Sequence, residues 1–515
     1  MNKNYLIACV VMLALLSACE QQQAPQTEQA VETAAPDAAI DSTPKGMVLP
    51  ATTSSDTARA QYMAGWADFE NARYSTANEK FLQAAATDPA FAMAHMMAGI
   101  SGASTEAFIA GLKNASDTMG DASKAEQLLI GSWQQAFDAN IQGSIESRLE
   151  VTKLHPDSPR AWMFLGNAYS NVRKTKEARA AYLKAVGLAP EMVLAHTSLG
   201  NSLMTQDPKD FAAAEQHFMH AVAITPNEPN PHDLLGDVHR AQNNLRAAYD
   251  DYSKAAELAP ELGSAYQQRG HVNSFLGKYD EARADYARAA QLEDARGSNN
   301  GGYFMLYHAY VSVYEGDTAA AIAELRALAA SASEAYTEGV IDFQVNALSN
   351  AALFATESGD SEAASAIIEE AAALMREQAI ELGSEEFSVT QEASIAYLQG
   401  LLAARMGDAK NAVAKAKEFE HYVAPSSNPR KLEQMHAILG LSAYYQGDFA
   451  SAVEHLSAGD NQNNMVNKYY LAKANESAGN ADQAAQLFSE LAVYNFNSPG
   501  FALFRKKILN SVAAD

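Results

Sequence analysis

From about residue 57 onward the chain lays apolar residues at helical spacing in short stretches separated by polar breaks, and 162–190 shows the unit most clearly. Trp162, Leu165, Gly166 and Tyr169 fall on one helix, Ala178, Tyr182 and Ala185 on a second, and Pro190 ends it. The unit then repeats. Gly166, Gly200, Gly236 and Gly270 recur at spacings of 34, 36 and 34, and Pro156, Pro190, Pro226 and Pro260 recur with them. The two extra residues fall in Gln206-Asp207-Pro208, in the turn between the two helices of that unit. An earlier unit carries Gly65, Ala77, Phe81, Ala84 and Pro89 in the same places. A helical hairpin of this size cannot cover its own apolar faces, so it is stable only with neighbours stacked on both sides. Gly or Ala at the eighth and twentieth positions lets the two helices approach, and aromatic residues fill the wedge to the next hairpin.

The eight positions of 162–190 resemble the tetratricopeptide repeat, W-x2-L-G-x2-Y followed by A, Y, A and P at fixed offsets, and the match is complete. The resemblance implies an all-α fold, an α-α superhelix whose concave groove is lined by the first helix of each hairpin. Beyond the break Gly297-Ser298-Asn299-Asn300-Gly301-Gly302 the motif degenerates but persists. Gly316-Asp317, Gly359-Asp360, Gly407-Asp408, Gly447-Asp448 and Gly479-Asn480 each end one apolar helix, with Ala321, Ala364, Ala412, Ala452 and Ala484 five residues after the Gly. The segment 105–155 breaks the period while keeping Leu129, Ile130, Trp133 and Phe137 on one face, and reads as an irregular, lengthened hairpin. The stretch 501–508 reads as a helix capping the last apolar face, with a basic membrane-surface helix as the other reading.

The start of the chain follows another pattern. Lys3 precedes an apolar run from Tyr5 to Leu16, too short to span a bilayer, and this reads as a signal peptide. Leu16-Ser17-Ala18-Cys19 resembles the lipobox of bacterial lipoproteins, which implies that Cys19 becomes an acylated first residue. By the same resemblance Glu20, in place of Asp, favours the outer membrane. Cys9 would be lost with the signal, so the mature chain would form no internal disulfide. Residues 20–56 are rich in Gln, Ala, Pro, Thr and Glu and read as a tether reaching about 30–35 Å. The expected organisation is a signal peptide at 1–18, a tether at 19–56 and an N-terminal repeat with the irregular hairpin at 57–156. The regular array follows at 157–296, the degenerate array at 303–498 and the cap at 499–515.

A formal charge of −25 argues against nucleic acid, which needs a basic stripe. With 48% hydrophobic residues the chain has material for a large core. Candidate chemistry is sparse. The stretch Gly270 to Lys278 fails as a phosphate loop, because six residues separate its glycines and Tyr279 stands where Ser or Thr would bind magnesium. His217 and His220 share a helix face, but no further ligand completes a metal set, and neither metal nor cofactor is expected. No G-x-S-x-G occurs.

What the repeat resemblance offers is the groove, lined at positions two, five, nine and twelve of each unit. Those positions give Arg160, Met163, Asn167 and Ser170, then Leu194, Thr197, Asn201 and Met204, then Asn230, Asp233, Asp237 and Arg240, then Ser264, Gln267, His271 and Ser274, of which the ten candidates are Arg160, Met163, Asn167, Asn201, Asn230, Asp233, Asp237, Arg240, Gln267 and His271. The set is mostly neutral and polar, unlike the Lys and Arg with which some proteins of this family clamp acidic chaperone tails. Asn167 and Asn201 resemble the start of an asparagine ladder that holds an extended peptide by its backbone. The expectation is a superhelix of roughly ten hairpins, lipid-anchored at Cys19, facing the periplasm and binding protein or peptide partners without enzymatic activity. Two other readings remain open. One is an accessory subunit presenting substrate to a secretion or polysaccharide-assembly complex, and the other is an enzyme with its site in 105–155.

Overall fold

The computed structural model describes residues 49–71, 73–102, 104–295, 301–336 and 339–513. The signal segment, Cys19, nearly all of the tether and most of the Gly-rich break lie outside them. Within the described residues the chain forms 25 α-helices and one 3-10 turn, with no strand. Consecutive helices pair into twelve hairpins, and a single helix closes the series.

The first three hairpins are α1 (Asp56–Glu70) with α2 (Tyr74–Thr87), α3 (Ala92–Ser101) with α4 (Thr105–Thr118), and α5 (Lys124–Phe137) with α6 (Ile141–Leu154). The regular array is α7 (Pro159–Asn171) with α8 (Thr175–Leu188), α9 (Val193–Thr205) with α10 (Phe211–Ile224), α11 (Pro229–Ala241) with α12 (Leu245–Leu258), and α13 (Gly263–Phe275) with α14 (Tyr279–Asp294). Next come α15 (Gly301–Glu315) with α16 (Thr318–Ala335), α17 (Val340–Ser358) with α18 (Ser361–Leu382), and α19 (Glu385–Arg405) with α20 (Ala409–Val423). The last pairs are α21 (Glu433–Gln446) with α22 (Phe449–Ala458) and α23 (Met465–Ser477) with α24 (Ala481–Ala492), followed by α25 (Pro499–Ala513).

The architecture is the expected superhelix of stacked hairpins, with more units than the sequence suggested. The surplus lies in 92–154, where one lengthened hairpin was expected and two stand. In the first of them Gly99 and Gly111 bring two backbones together, so that a Cβ on Gly111 would meet the Gly99 Cα at 2.5 Å. A glycine-to-glycine contact carries no aromatic partner, and that is why this unit does not show the repeat's signature.

Elsewhere the signature residues act as the period requires. A Cβ added at Gly65, Gly166, Gly200, Gly236 or Gly270 would stand 2.4–2.8 Å from ring carbons of Phe81, Tyr182, Phe218, Tyr252 or Tyr286 respectively. The ring of the second helix therefore lies directly on the backbone of the first. Position four carries a ring donor. Trp162 Nε1 donates to the Pro156 carbonyl oxygen at 2.9 Å, and the ring nitrogens of His95, His196 and His232 stand 2.9–3.1 Å from the carbonyls of Pro89, Pro190 and Pro226. Tyr266 does the same with its hydroxyl. Histidine and tyrosine thus replace tryptophan without losing the tie to the preceding repeat. In the degenerate half the Gly-Asp pairs divide the work: Gly316, Gly359, Gly407 and Gly447 take positive φ, and the following Asp side chains accept hydrogen bonds at the starts of α16, α18, α20 and α22.

The superhelix closes on itself. Helix α25 packs against α15, α17, α23 and α24. Phe501 meets Phe275 edge-on with ring centres 5.4 Å apart, and Phe504 stacks on Tyr469 at 4.1 Å. Phe501, Phe504 and Ile508 are buried, so the apolar face of this helix is spent on the protein itself. Near the other end, Thr105 and Gln378 both donate to the Asp342 carboxylate, and Ala379 and Phe387 join the N-terminal core. Among the described residues no helix is long and apolar enough to cross a membrane.

Candidate peptide-binding groove

The ten groove positions meet four different fates. Arg160 turns toward α1, pairing with Glu70 at 2.6 Å and lying 4.4 Å over the Trp66 ring. Met163 is buried in a core that runs from its own hairpin into α9. Asn167 is exposed, its side-chain oxygen accepting the Tyr182 hydroxyl at 2.8 Å, and Asn201 is half-buried. The six residues on α11 and α13, Asn230, Asp233, Asp237, Arg240, Gln267 and His271, are each 5% exposed or less. Those six form a closed polar layer rather than an open wall.

The chain's own irregular segment 494–498, between α24 and α25, lies against the Arg240 and His271 side of that layer. Asn495, fully buried, donates to the Arg240 carbonyl at 3.1 Å and to the Asn243 side-chain oxygen at 2.8 Å, and accepts from Arg505. Asn497 reaches His271 Nδ1 at 3.0 Å and the Tyr286 hydroxyl at 3.2 Å, while its oxygen accepts from Tyr314. Phe496 packs on the core between α9 and α11, with the Arg240 guanidinium 5.3 Å from its ring centre. The segment thus holds the groove by side-chain amides and one aromatic anchor.

The same docking is written in the turns between paired helices. At position fifteen the chain takes a left-handed conformation, supplied by glycine at Gly277, Gly316, Gly359, Gly447 and Gly479, where an added Cβ would meet nothing. Ala139, Arg173 and Asn243 adopt it with φ of 54°, 55° and 61°. A left-handed conformation costs an ordinary residue about 1–2 kcal/mol, somewhat less for Asn. All three receive the C-terminal half. The Ala139 carbonyl accepts from Ser427, Arg173 pairs with Glu433 at 2.7 Å and Asp460 at 2.5 Å, and Asn243 accepts from Asn495. The longer turn after α9 is held differently, by the Arg179 guanidinium donating to the carbonyls of Ser202, Gln206 and Pro208.

Burial sets the electrostatics of the covered layer. It pushes the Asp233 carboxyl well above its usual range, and the neighbouring Asp237 adds to this against the Arg240 charge. Asp237 accepts from Arg240 at 2.8 Å and from the Tyr252 hydroxyl at 2.7 Å, and Arg240 donates to Gln268. Burial, then Arg240, holds the His271 imidazole well below its usual range, so the ring is neutral. Its Nδ1 faces the Tyr286 hydroxyl at 2.8 Å and serves as acceptor, which leaves the proton on Nε2. Nε2 stands 3.3 Å from the Gln267 side-chain nitrogen, while the Gln267 oxygen has no partner. Turning the amide over brings that oxygen to the His271 N–H and satisfies both groups.

The irregular region holds its polar groups in structural pairs. Arg148 is buried against the Trp133 ring at 4.4 Å and donates to Ser132 and to the Phe164 carbonyl; burial lowers its pKa to about 10. The cavity beside it measures about 20 Å³, room for one water rather than a substrate. Glu126 caps α5 through Ser123 and accepts from Thr52.

The sequence singled out the groove positions but not Asn495, Phe496, Asn497 or Arg505. These lie outside the repeat period, and their contacts with α11, α13 and the turn after α11 cross more than 200 residues. A signal did exist at the receiving end, where Ala139, Arg173 and Asn243 stand in the slot that later units fill with glycine.

The tetratricopeptide repeat profile matches residues 159–192 and 263–295, which are the hairpins α7–α8 and α13–α14. A protein O-mannosyl-transferase, TMTC3 of Homo sapiens, is 27% identical over 157 residues, covering 30% of this chain and 15% of that protein. Tetratricopeptide repeat protein 36 of Xenopus tropicalis is 34% identical over 90 residues, 17% of this chain and 45% of that one. The chain therefore spans less than half of either relative. A tetratricopeptide repeat protein from Parabacteroides merdae aligns over 56% of this chain and 98% of its own at 12% identity, with a TM-score of 0.33. The chain carries tetratricopeptide repeats in a helical solenoid, a fold that supports a role in protein interaction.

Proposed function

We propose that this protein is a membrane-anchored scaffold that binds an extended segment of a protein partner along the groove stretch bearing Asn167 and Asn201. The observation that carries the reading is that the neighbouring stretch already holds a polypeptide segment, residues 494–498, through amide hydrogen bonds and one half-buried ring. Beside it, on α7 and α9, the groove itself presents side-chain amides, with Asn167 exposed and Asn201 half-buried. A side-chain amide offers a donor and an acceptor to an alternating backbone, so the recognition favours extended chain over particular side chains. The anchor is Cys19 after the Leu-Ser-Ala step, with the tether holding the solenoid off the bilayer on the periplasmic side of the outer membrane. One acyl chain binds a membrane only reversibly, so stable retention rests on more than one chain at Cys19.

The test is site-specific photo-crosslinking in intact cells. A photoreactive residue at Asn201 is expected to capture a discrete partner that the same residue at Leu183, 56% exposed on α8, does not. Equal capture at both positions would overturn the assignment of the groove.

A further inference from the structure

Two histidine pairs, far apart in the chain, are built alike. His196 and His436 occupy position four of their first helices, α9 and α21, while His217 and His455 occupy position twenty-three of the same repeats, on α10 and α22. In each pair the two Nδ1 atoms stand 3.0 Å apart. The tautomer of His196 is fixed by its surroundings. Its Nε2 lies 2.9 Å from the Pro190 carbonyl oxygen, which only accepts, so Nε2 carries the proton and Nδ1 turns a lone pair toward His217. A ring N–H on a backbone carbonyl is also the arrangement that orients metal-bound histidines. Two nitrogens each bound about 2.0–2.1 Å from one ion stand roughly 2.9–3.4 Å apart for coordination angles between square and tetrahedral, and the observed separation falls within that window.

We propose that His196 with His217, and His436 with His455, are two-histidine clips for a divalent transition cation of the Zn²⁺, Ni²⁺ and Cu²⁺ class. Imidazole suits these ions, and water fills the remaining coordination positions. Among the described residues no three His, Cys, Asp or Glu side chains converge on one point, so each clip is bidentate. The His220 ring lies 4.4 Å from that of His196 without completing a set. Each ion would join the two helices of one hairpin, α9 to α10 and α21 to α22. The competing arrangement is an N–H···N hydrogen bond between neutral rings, which spans the same distance.

Calorimetric titration of the whole chain, free of any affinity tag, with ZnCl2 at neutral pH separates the two. The clips predict two ions per chain, one in His217→Ala, one in His455→Ala and none in the double variant, with His220→Ala still binding two. Circular dichroism melts without metal check that each variant folds, and His217→Gln and His455→Gln serve if alanine loosens a hairpin. No binding, or a stoichiometry unchanged in both single variants, would overturn the proposal. Loss in only one variant would overturn it for the other pair.

Discussion

Replacing Gly166 by Val tests the packing that sets the period. A Cβ there would stand 2.4 Å and 2.6 Å from the Cε1 and Cδ1 carbons of Tyr182, about 1 Å inside normal carbon contact. Tyr182 is only 4% exposed and its hydroxyl is tied to Asn167, so the ring has nowhere to move without breaking that bond. Overpacking of this kind costs about 1–3 kcal/mol and the hydrogen bond roughly 0.5–1.5 kcal/mol more, while leaving glycine in a helix returns only a few tenths. At the middle of these ranges the net loss is about 2–3 kcal/mol. A single melting temperature describes a repeat array poorly, so the assay is hydrogen exchange read along the chain. Amides of α7 and α8 that exchange through opening of that hairpin are expected to speed up about 30- to 150-fold. Gly187→Val is the control, because it lies in the same hairpin, is exposed, and an added Cβ would meet nothing. Equal exchange in the two variants would refute the contact and the register built on it.

Asn495→Ala removes three hydrogen bonds from a fully buried position and strands groups on α11 and α25. Release of 494–498 is expected to become easier by about 2–4 kcal/mol, read as faster limited proteolysis there, with the exposed Asn463→Ala as control. His271 has a depressed imidazole pKa from burial, so its contribution is complete above the unfolded value of about 6.5 and is lost as pH falls below it. Protonating Nδ1 would set donor against donor at Tyr286 and Asn497, and proteolysis at 494–498 should quicken in acid and lose this dependence in His271→Gln. His239 works in the opposite sense. The hydrogen bond to Asp251 raises its pKa, so that tie is full below about 6.5 and weakens as pH rises through the raised value, which an NMR titration of the ring would follow. Cys19→Ser is expected to move the protein from the membrane to the soluble fraction, and equal membrane retention would refute the anchor.

The hairpins were legible because their chemistry is local. Gly166 and Tyr182, or Gly236 and Tyr252, sit sixteen residues apart and meet within one unit, so a short period reports them. The Gly-Asp pairs were legible for the same reason, since each turn needs a left-handed residue and the next helix needs a cap. The extra hairpin at 92–154 was missed because Gly99 and Gly111 achieve close approach without the usual ring. Closure of the groove over Arg240 and His271 was missed for a different reason. It depends on Asn495 and Asn497, two polar residues in a break between helices, and nothing in their own neighbourhood shows which carbonyl they will reach. Only the receiving turns show the tension, in Ala139 and Arg173 held where glycine would fit better.

The central claim is that a partner lies along Asn167 and Asn201, and the affinity of the double variant Asn167→Ala, Asn201→Ala for the partner captured at Asn201 tests it most directly. Two amide contacts at roughly 0.5–1.5 kcal/mol each predict binding about 5- to 150-fold weaker. The fold should lose only about 0.5–1.5 kcal/mol, chiefly because the Tyr182 hydroxyl is left without its acceptor at Asn167. Unchanged affinity in a variant whose hairpins exchange as in the parent would contradict the claim and remove this stretch of the groove from partner recognition.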